Sequence, residues 1–172
     1  MSRTVEVVRT YLELRAPDRL RAAYVDDASV RFIRQIDISP ADYRRLYRAV
    51  GARWHWRDRD AWSDKRLAGY LADPAISVWE CLVDADTAGY FELAIRENNV
   101  VEIAYFGLVE QHIGRGLGKA MLTRACEAAF ALGASRVILD TCTLDSPHAL
   151  PNYKARGFEE IRTMTYAQEI PD

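Results

Sequence analysis

The sequence predicts an α/β protein: a mixed, mostly antiparallel sheet of about six or seven strands flanked by about four helices. Three observations predict it. Strand-like runs at 76–83, 88–96 and 100–108 follow one another across short polar turns, the pattern of an antiparallel meander. The last of them leads through a glycine-rich loop into a helical stretch, 118–132, and then another strand, 136–143. That strand–helix–strand order is a crossover and brings in one parallel pair. Ahead of the meander stand two segments that begin with serine caps, as helices do.

Taken in order, 4–14 is rich in Val, Thr and Tyr and reads as a strand, with 29–36 a weaker second one. Ser39-Pro40-Ala41-Asp42 starts a helix with a serine cap, proline at the first position and an acid three residues on. It runs to Val50 and stops at Gly51. Ser63 caps a second helix, which Pro74 ends. After the meander, the 118–132 helix stops at Gly133. A short helix over 148–156 ends at Gly157, and 158–170 supplies a last strand or two. Pro147 suits a first helical position whereas Pro151 interrupts the following turn, so this helix is short or begins twice. No repeat or linker divides the chain, which reads as one domain over 1–172.

The composition, 49% apolar and 28% charged over 172 residues, is that of a globular domain able to bury its own core. A net charge of −2 argues against nucleic acid as the main partner. No apolar run approaches the ~18–20 residues of a membrane helix, and the first residues lack a basic-then-apolar export layout. The expectation is a cytoplasmic protein that engages no membrane. Cys81, Cys126 and Cys142 are odd in number and lack metal-like spacing, so they read as small buried side chains. His55, His112 and His148 have no metal-like spacing either, and no metal is expected.

The most informative stretch is Leu108-Val109-Glu110-Gln111-His112-Ile113-Gly114-Arg115-Gly116-Leu117-Gly118-Lys119. Glycines at alternate positions let main-chain N–H groups converge without intervening side chains, and the helix behind them adds unpaired amides and a positive dipole end. Such a loop suits phosphate. Two common phosphate motifs fail. A P-loop needs glycine and Ser/Thr where Ile113 and Ala120 stand, and the dinucleotide fingerprint needs glycine where Lys119 stands.

Ile113-Gly114-Arg115-Gly116-Leu117-Gly118 resembles the pyrophosphate loop of the GNAT superfamily of acyl-CoA N-acyltransferases, Arg/Gln-x-x-Gly-x-Gly/Ala, except that Ile113 replaces its first residue. The strand Val101–Leu108 is similar to the family's splayed fourth strand, and Tyr153-Lys154-Ala155-Arg156-Gly157-Phe158 resembles its C-terminal Tyr-x-x-x-Gly-Phe element. The resemblance covers about residues 75–165 and implies the GNAT fold, with 75–172 as the CoA-binding core and 1–74 as N-terminal strands and acceptor-side helices. It implies acetyl-CoA as acyl donor, held by Phe106, Gly107 and Leu108 along the strand and by Gly114, Arg115, Gly116, Leu117, Gly118 and Lys119 in the loop. Ser146 stands where many members have an asparagine that contacts the pantetheine arm.

Acyl transfer to an amine needs a deprotonated amine, a polarised carbonyl and a proton for the leaving thiolate. An alkyl amine with a pKa of ~10.4 is protonated at pH 7, so a base helps. Glu102 precedes Gly116 by the spacing of the base glutamate in histone-acetylating members, and the resemblance implies that role. Glu92, on the neighbouring strand, is the competitor. If the two share a face, repulsion raises one pKa and makes the pair the better base. Thr141 occupies the position of another base seen in the family. Tyr153 is implied as the acid that protonates the thiolate; the other reading is a core tyrosine.

Three of the four tryptophans lie in Trp54-His55-Trp56-Arg57-Asp58-Arg59-Asp60 and at Trp62 just beyond. They form a lid over the acceptor or anchor the helix pair to the sheet. The expected activity is an acetyl-CoA-dependent N-acetyltransferase acting on a small-molecule or peptide amine. The alternatives are a catalytically silent CoA-binding sensor and a transferase of another acyl-CoA. Monomer and homodimer are both compatible.

Overall fold

Both N-terminal helices start at their serine caps in the computed structural model, which describes residues 2–171. The Ser39 hydroxyl accepts from the Asp42 N–H at 3.1 Å and Ser63 from the Arg66 N–H at 3.2 Å. The elements are β1 (Ser2–Leu14), β2 (Val30–Gln35), α1 (Pro40–Gly51), α2 (Asp64–Leu71), β3 (Ile76–Val83), β4 (Asp86–Ile95), β5 (Val100–Leu108), α3 (Leu117–Ala131), β6 (Arg136–Cys142), α4 (Ala149–Ala155) and β7 (Glu159–Pro171). The single helix α4 carries Pro151 without interruption. The proline falls in the first turn, where its missing N–H has no intrahelical partner to lose.

The strands form one sheet in the order β2-β3-β4-β5-β6-β1-β7. Among the described residues only β5 and β6 run parallel, joined through α3 as the crossover requires. The sequence reading left the place of β1 open: it lies between β6 and β7, on the far side of the sheet from β2. The chain returns along 15–29, a segment tied to α3 by the Ala23 N–H on Thr123 (2.9 Å) and the Tyr24 hydroxyl on Glu127 (2.6 Å).

Two cores cover the two faces of the sheet. On one, Leu12, Leu14, Phe91, Leu93, Val101, Ile103, Val137 and Leu139 meet Met121, Leu122, Ala125 and Cys126 of α3. On the other, Tyr43, Leu46, Tyr47 and Val50 of α1 and Leu67 of α2 pack on Val78 and Tyr90. The alternation of strand side chains between these faces decides which residues reach the cleft described next.

Candidate active site

The parallel pairing of β5 with β6 stops at Glu102 and Ile138. Beyond it, β5 pairs with β4 alone, and Ala104 is an extra residue between the pairs Leu93–Ile103 and Glu92–Tyr105. This bulge bends the strand away from β6 and reverses its alternation, so Phe106 joins the α3 face while Tyr105 joins the α1 face. The opening is a cleft of about 730 Å³. Along it, residues 103–108 have main-chain groups that β6 leaves unpaired, a ready edge for an extended ligand.

At one end of the cleft lies the glycine loop. Gly114 and Gly116 have φ of +84° and +76°, and Gly116 is the cap from which α3 begins. The first amides of α3 have no intrahelical acceptor and carry the positive end of its dipole. Lys119 lines the cleft beside them, as do Gly114, Gly116 and Gly118. Asn152 of α4 donates to the Gly118 carbonyl at 3.2 Å and closes this end.

On α4, Tyr153 is buried with its ring edge-on to Phe106 (centroids 6.0 Å apart) and Phe158 (6.1 Å), and it lines the cleft. Burial, with the Asp145 and Asp140 carboxylates nearby, pushes its pKa well above that of an ordinary tyrosine. It therefore keeps its proton at neutral pH. Asp145 is held by the Thr141 hydroxyl (2.7 Å) and the Cys142 N–H (2.9 Å). Ser146 also lines the cleft, and its hydroxyl accepts from the His148 N–H at 3.3 Å.

The carboxylates divide into two kinds. Glu102 faces the cleft and accepts from Arg96 Nε at 2.6 Å. Asp140, on β6, also lines the cleft and is paired with Arg9, which donates in turn to the Tyr166 hydroxyl at 2.9 Å. Burial raises the Asp140 pKa, and the Glu102 and Asp145 charges add to the rise while Arg9 opposes it. Glu92 shares a face with Glu102, since its partner Tyr105 and the Ala94–Glu102 pair lie on the same side. The coupled base pair nevertheless does not form. Glu92 is wholly buried and accepts from Tyr43 (2.6 Å), Tyr70 and Arg59 (3.0 Å), so it never reaches the cleft.

The tryptophan-rich loop anchors the helix pair and also lines the cleft. Trp56 is an anchor: it packs edge-on against Tyr90 and Tyr105, and a Cβ on Gly51 would come within 2.6 Å of it. Gly107 has no room for a side chain either, because Val50 of α1 lies directly on it. Trp62 packs on the Arg59 and Arg66 guanidinium groups, each 4.0 Å from its ring centre. Trp54, His55, Trp56, Asp58 and Arg59 meanwhile form the wall of the cleft opposite α4.

The sequence matches the acetyltransferase (GNAT) family over residues 40–158, more than half of the chain. The chain belongs to the GNAT acetyltransferase family. Among solved structures it is similar to an aminoglycoside acetyltransferase from an uncultured soil metagenomic sample, with TM-score 0.65 and 16% identity over 76% of this chain and 88% of that one. A GCN5-related N-acetyltransferase from Kribbella flavida matches with TM-score 0.65 and 19% identity over 96% of this chain and 58% of that one. A functionally unknown conserved protein from Staphylococcus epidermidis gives 0.62 and 15% over 96% and 62%. The chain thus spans about three fifths of the length of the last two. At these identities the likeness is one of fold. No curated protein sequence matches the chain.

Of the residues expected to serve this GNAT domain, the cleft brings together Glu102, Phe106, Gly107, Leu108, Gly114, Gly116, Gly118, Lys119, Ser146 and Tyr153. Two side chains lie outside it. Leu117 turns into the core, on the same face of α3 as Met121 four residues on. Arg115 projects outward and contacts His112 Nδ1 at 3.3 Å. Sequence reasoning missed Arg9, Asp140, Asp145 and Asn152. A charged residue within an apolar strand, as Asp140 is after Val137-Ile138-Leu139, is the one signal that could have found them. Among the described residues no group of His, Cys, Asp and Glu has metal-site geometry, and no helix is long and apolar enough to cross a membrane.

Proposed function

We propose that this chain is an acetyl-CoA-dependent N-acetyltransferase that transfers the acetyl group directly to a primary amine of a small molecule or peptide. The observation that carries the reading is one cleft in which a splayed strand, a glycine-capped helix N-terminus and a buried, protonated tyrosine converge. The donor set fits a phosphorylated thioester: α3 amides and Lys119 for the pyrophosphate, and the unpaired edge of residues 106–108 for the amide-bearing arm. The arginines lining the cleft have carboxylate partners of their own: Arg9, Arg59 and Arg96 pair with Asp140, Glu92 and Glu102. Lys119 is the cleft cation without one among the described residues.

Glu102 takes the ammonium proton, directly or through a water, and frees the nitrogen lone pair. The C–N bond forms at the acetyl carbon as the C–S bond breaks, Tyr153 gives its proton to the departing thiolate, and the nitrogen's second proton leaves to solvent, as does the one on Glu102. Solvent then returns a proton to Tyr153. Asp140 is the second candidate base, because its raised pKa brings it nearer the working range than an ordinary aspartate. Glu102→Gln and Asp140→Asn separate the two: the true base loses turnover and its acid limb in the pH profile, and the other keeps both.

The first test is the melting temperature with acetyl-CoA, with ATP and NAD as controls. Occupancy at ~100 times Kd stabilises by ~2.7 kcal/mol, a rise of about 5–10 °C for a domain of this size. A rise specific to acetyl-CoA, followed by amine-dependent thiol release, supports the reading. The same rise without thiol release for any amine favours a silent binding domain.

A further inference from the structure

Arg59 is a buried cation inside the wall that faces the amine. It is 8% exposed, and its guanidinium carbon lies 4.0 Å from the Trp62 ring centre, 4.2 Å from that of Tyr70 and 5.2 Å from that of Tyr105. Its Nη2 donates to Glu92, which has no exposure of its own. The surrounding loop is tied at further points. The Arg59 N–H reaches the Tyr47 hydroxyl at 3.3 Å, and Arg44 of α1 donates to the carbonyls of Arg59 (3.0 Å) and Trp62 (2.6 Å). Placing a charge pair in the core is costly unless its bonds are well formed, so a buried pair at a loop is better evidence of a fixed geometry than of stability. A wall that only had to exclude water could be apolar throughout.

The neighbour of Arg59 gives that fixed geometry a use. Asp58 lines the cleft, is exposed, and receives one long bond from the Tyr105 hydroxyl at 3.4 Å. It has no cationic partner among the described residues, unlike the carboxylates Glu102 and Asp140 across the cleft. Trp54 and Trp56 line the same wall, and the Arg53 guanidinium, 5.2 Å from the Trp54 ring centre, shows that such a ring face takes a cation here. We propose that Arg59 is the positioning residue of the acceptor wall: bonded to Glu92, it holds the 54–62 loop so that Asp58 binds a cationic group of the amine acceptor. The favoured acceptors are amines with a second positive charge, one for Asp58 and one to lose its proton at the reacting nitrogen. This rests on the acetyltransferase reading.

The test compares Arg59→Lys, Glu92→Gln and Asp58→Asn with the unaltered protein. Acetyl-CoA affinity, read by thermal shift, stays within about 2-fold in all of them. Acrylamide quenching of tryptophan fluorescence, read in a Trp79→Phe background so that Trp54, Trp56 and Trp62 report, rises about 2-fold in Arg59→Lys and Glu92→Gln and is unchanged in Asp58→Asn. With spermidine and tyramine as acceptors, the unaltered protein prefers spermidine. All three variants raise KM for spermidine about 10-fold, leave kcat within about 3-fold, and lose the preference. The double variant Arg59→Lys/Glu92→Gln is no worse than either single one. Unchanged quenching and KM in the Arg59 and Glu92 variants overturn the proposal, as does an unchanged spermidine KM in Asp58→Asn. An acetyl-CoA affinity that falls with acceptor affinity overturns it too, because the pair is then a general structural support. No preference for spermidine in the unaltered protein counts against Asp58. If the unaltered protein shows no acetyl-CoA shift, the acetyltransferase reading fails, while the quenching arm still reports whether the pair fixes the loop.

Discussion

The two walls of the cleft are built from different materials. The wall proposed to face the thioester is largely main chain: a bulged strand with unpaired edge groups and a loop in which Gly114 and Gly116 adopt positive φ. The wall proposed to face the amine is side chain: Arg59 with its buried partner Glu92, the exposed Asp58, and rings packed edge-on such as Trp56 on Tyr105. A main-chain wall serves one invariant ligand, since every residue type carries the same amide. A side-chain wall can change its ligand by substitution while the strand and loop stay as they are. The contrast explains how one fold can keep its donor and vary its acceptor.

The test with the largest expected effect asks whether the reaction belongs to either wall. Tyr153 sits where they meet, packed on Phe106 of one and facing the cleft toward the other. Tyr153→Phe removes one hydroxyl and no ring contact, so turnover falls ~10²–10⁴-fold while the affinities for acetyl-CoA and amine stay nearly constant. Pre-steady-state thiol release with saturating substrates measures it. Turnover like that of the unaltered protein removes Tyr153 from the chemistry and leaves it a core tyrosine.

A smaller effect separates the walls. Gly116→Ala places a Cβ at φ +76° with only Lys119 Cε nearby, at 3.5 Å, so the penalty is backbone strain rather than collision. A strain of ~1–2 kcal/mol loosens the loop and weakens acetyl-CoA by about 10-fold. The amine KM is unmoved, because the ties between that loop and the acceptor side, Arg53 on Glu110 and Val109 in the α1 core, lie ahead of Gly114. A titration of acetyl-CoA by calorimetry, beside amine KM at saturating donor, shows whether the two walls act independently. An equal loss on both sides merges them into one cooperative unit.

The same contrast explains what the sequence made legible. The starts of α1 and α2 depend on a serine and the amide three residues later, so local spacing suffices. The glycine loop is likewise local, and its agreement with the strand before it and the tyrosine after it pointed to the GNAT family. The position of β1 between β6 and β7 depends on pairings such as Arg9 with Cys142 and Met164, far apart in the chain, and hydrophobic alternation carries no record of them. The acceptor wall was opaque for that reason. Glu92 and Glu102 both looked like bases, and what set them apart was Arg59, Tyr43 and Tyr70, which lie 33, 49 and 22 residues from Glu92. The bulge at Ala104, which put both carboxylates' neighbours in register, was invisible as well: alanine carries no bulge signal.

The smallest predicted effect comes from an ion pair of the same chemistry as Arg59–Glu92 placed at the surface. Glu13 of β1 accepts from Arg136 of β6 at 2.6 Å and from Arg15 at 2.8 Å, with the two arginine side chains 45% and 65% exposed. Arg136 first, then Arg15, hold the Glu13 carboxyl below the usual glutamate range. A carboxylate whose pKa is lower folded than unfolded adds stability above its unfolded pKa and loses it as pH falls through the folded one. Glu13 itself is 13% exposed, but solvent at the two arginine ends screens the pair, which limits that gain to ~0.2–1 kcal/mol. Glu13→Gln should therefore lower the melting temperature by about 1–3 °C at pH 7, and the difference should vanish as pH falls below the ordinary glutamate range. A loss of about 10 °C or more, persisting in acid, would mean that the β1–β6 seam depends on this residue for packing rather than charge. In that event the surface pair would resemble the buried one, and burial would no longer be what distinguishes Arg59 and Glu92.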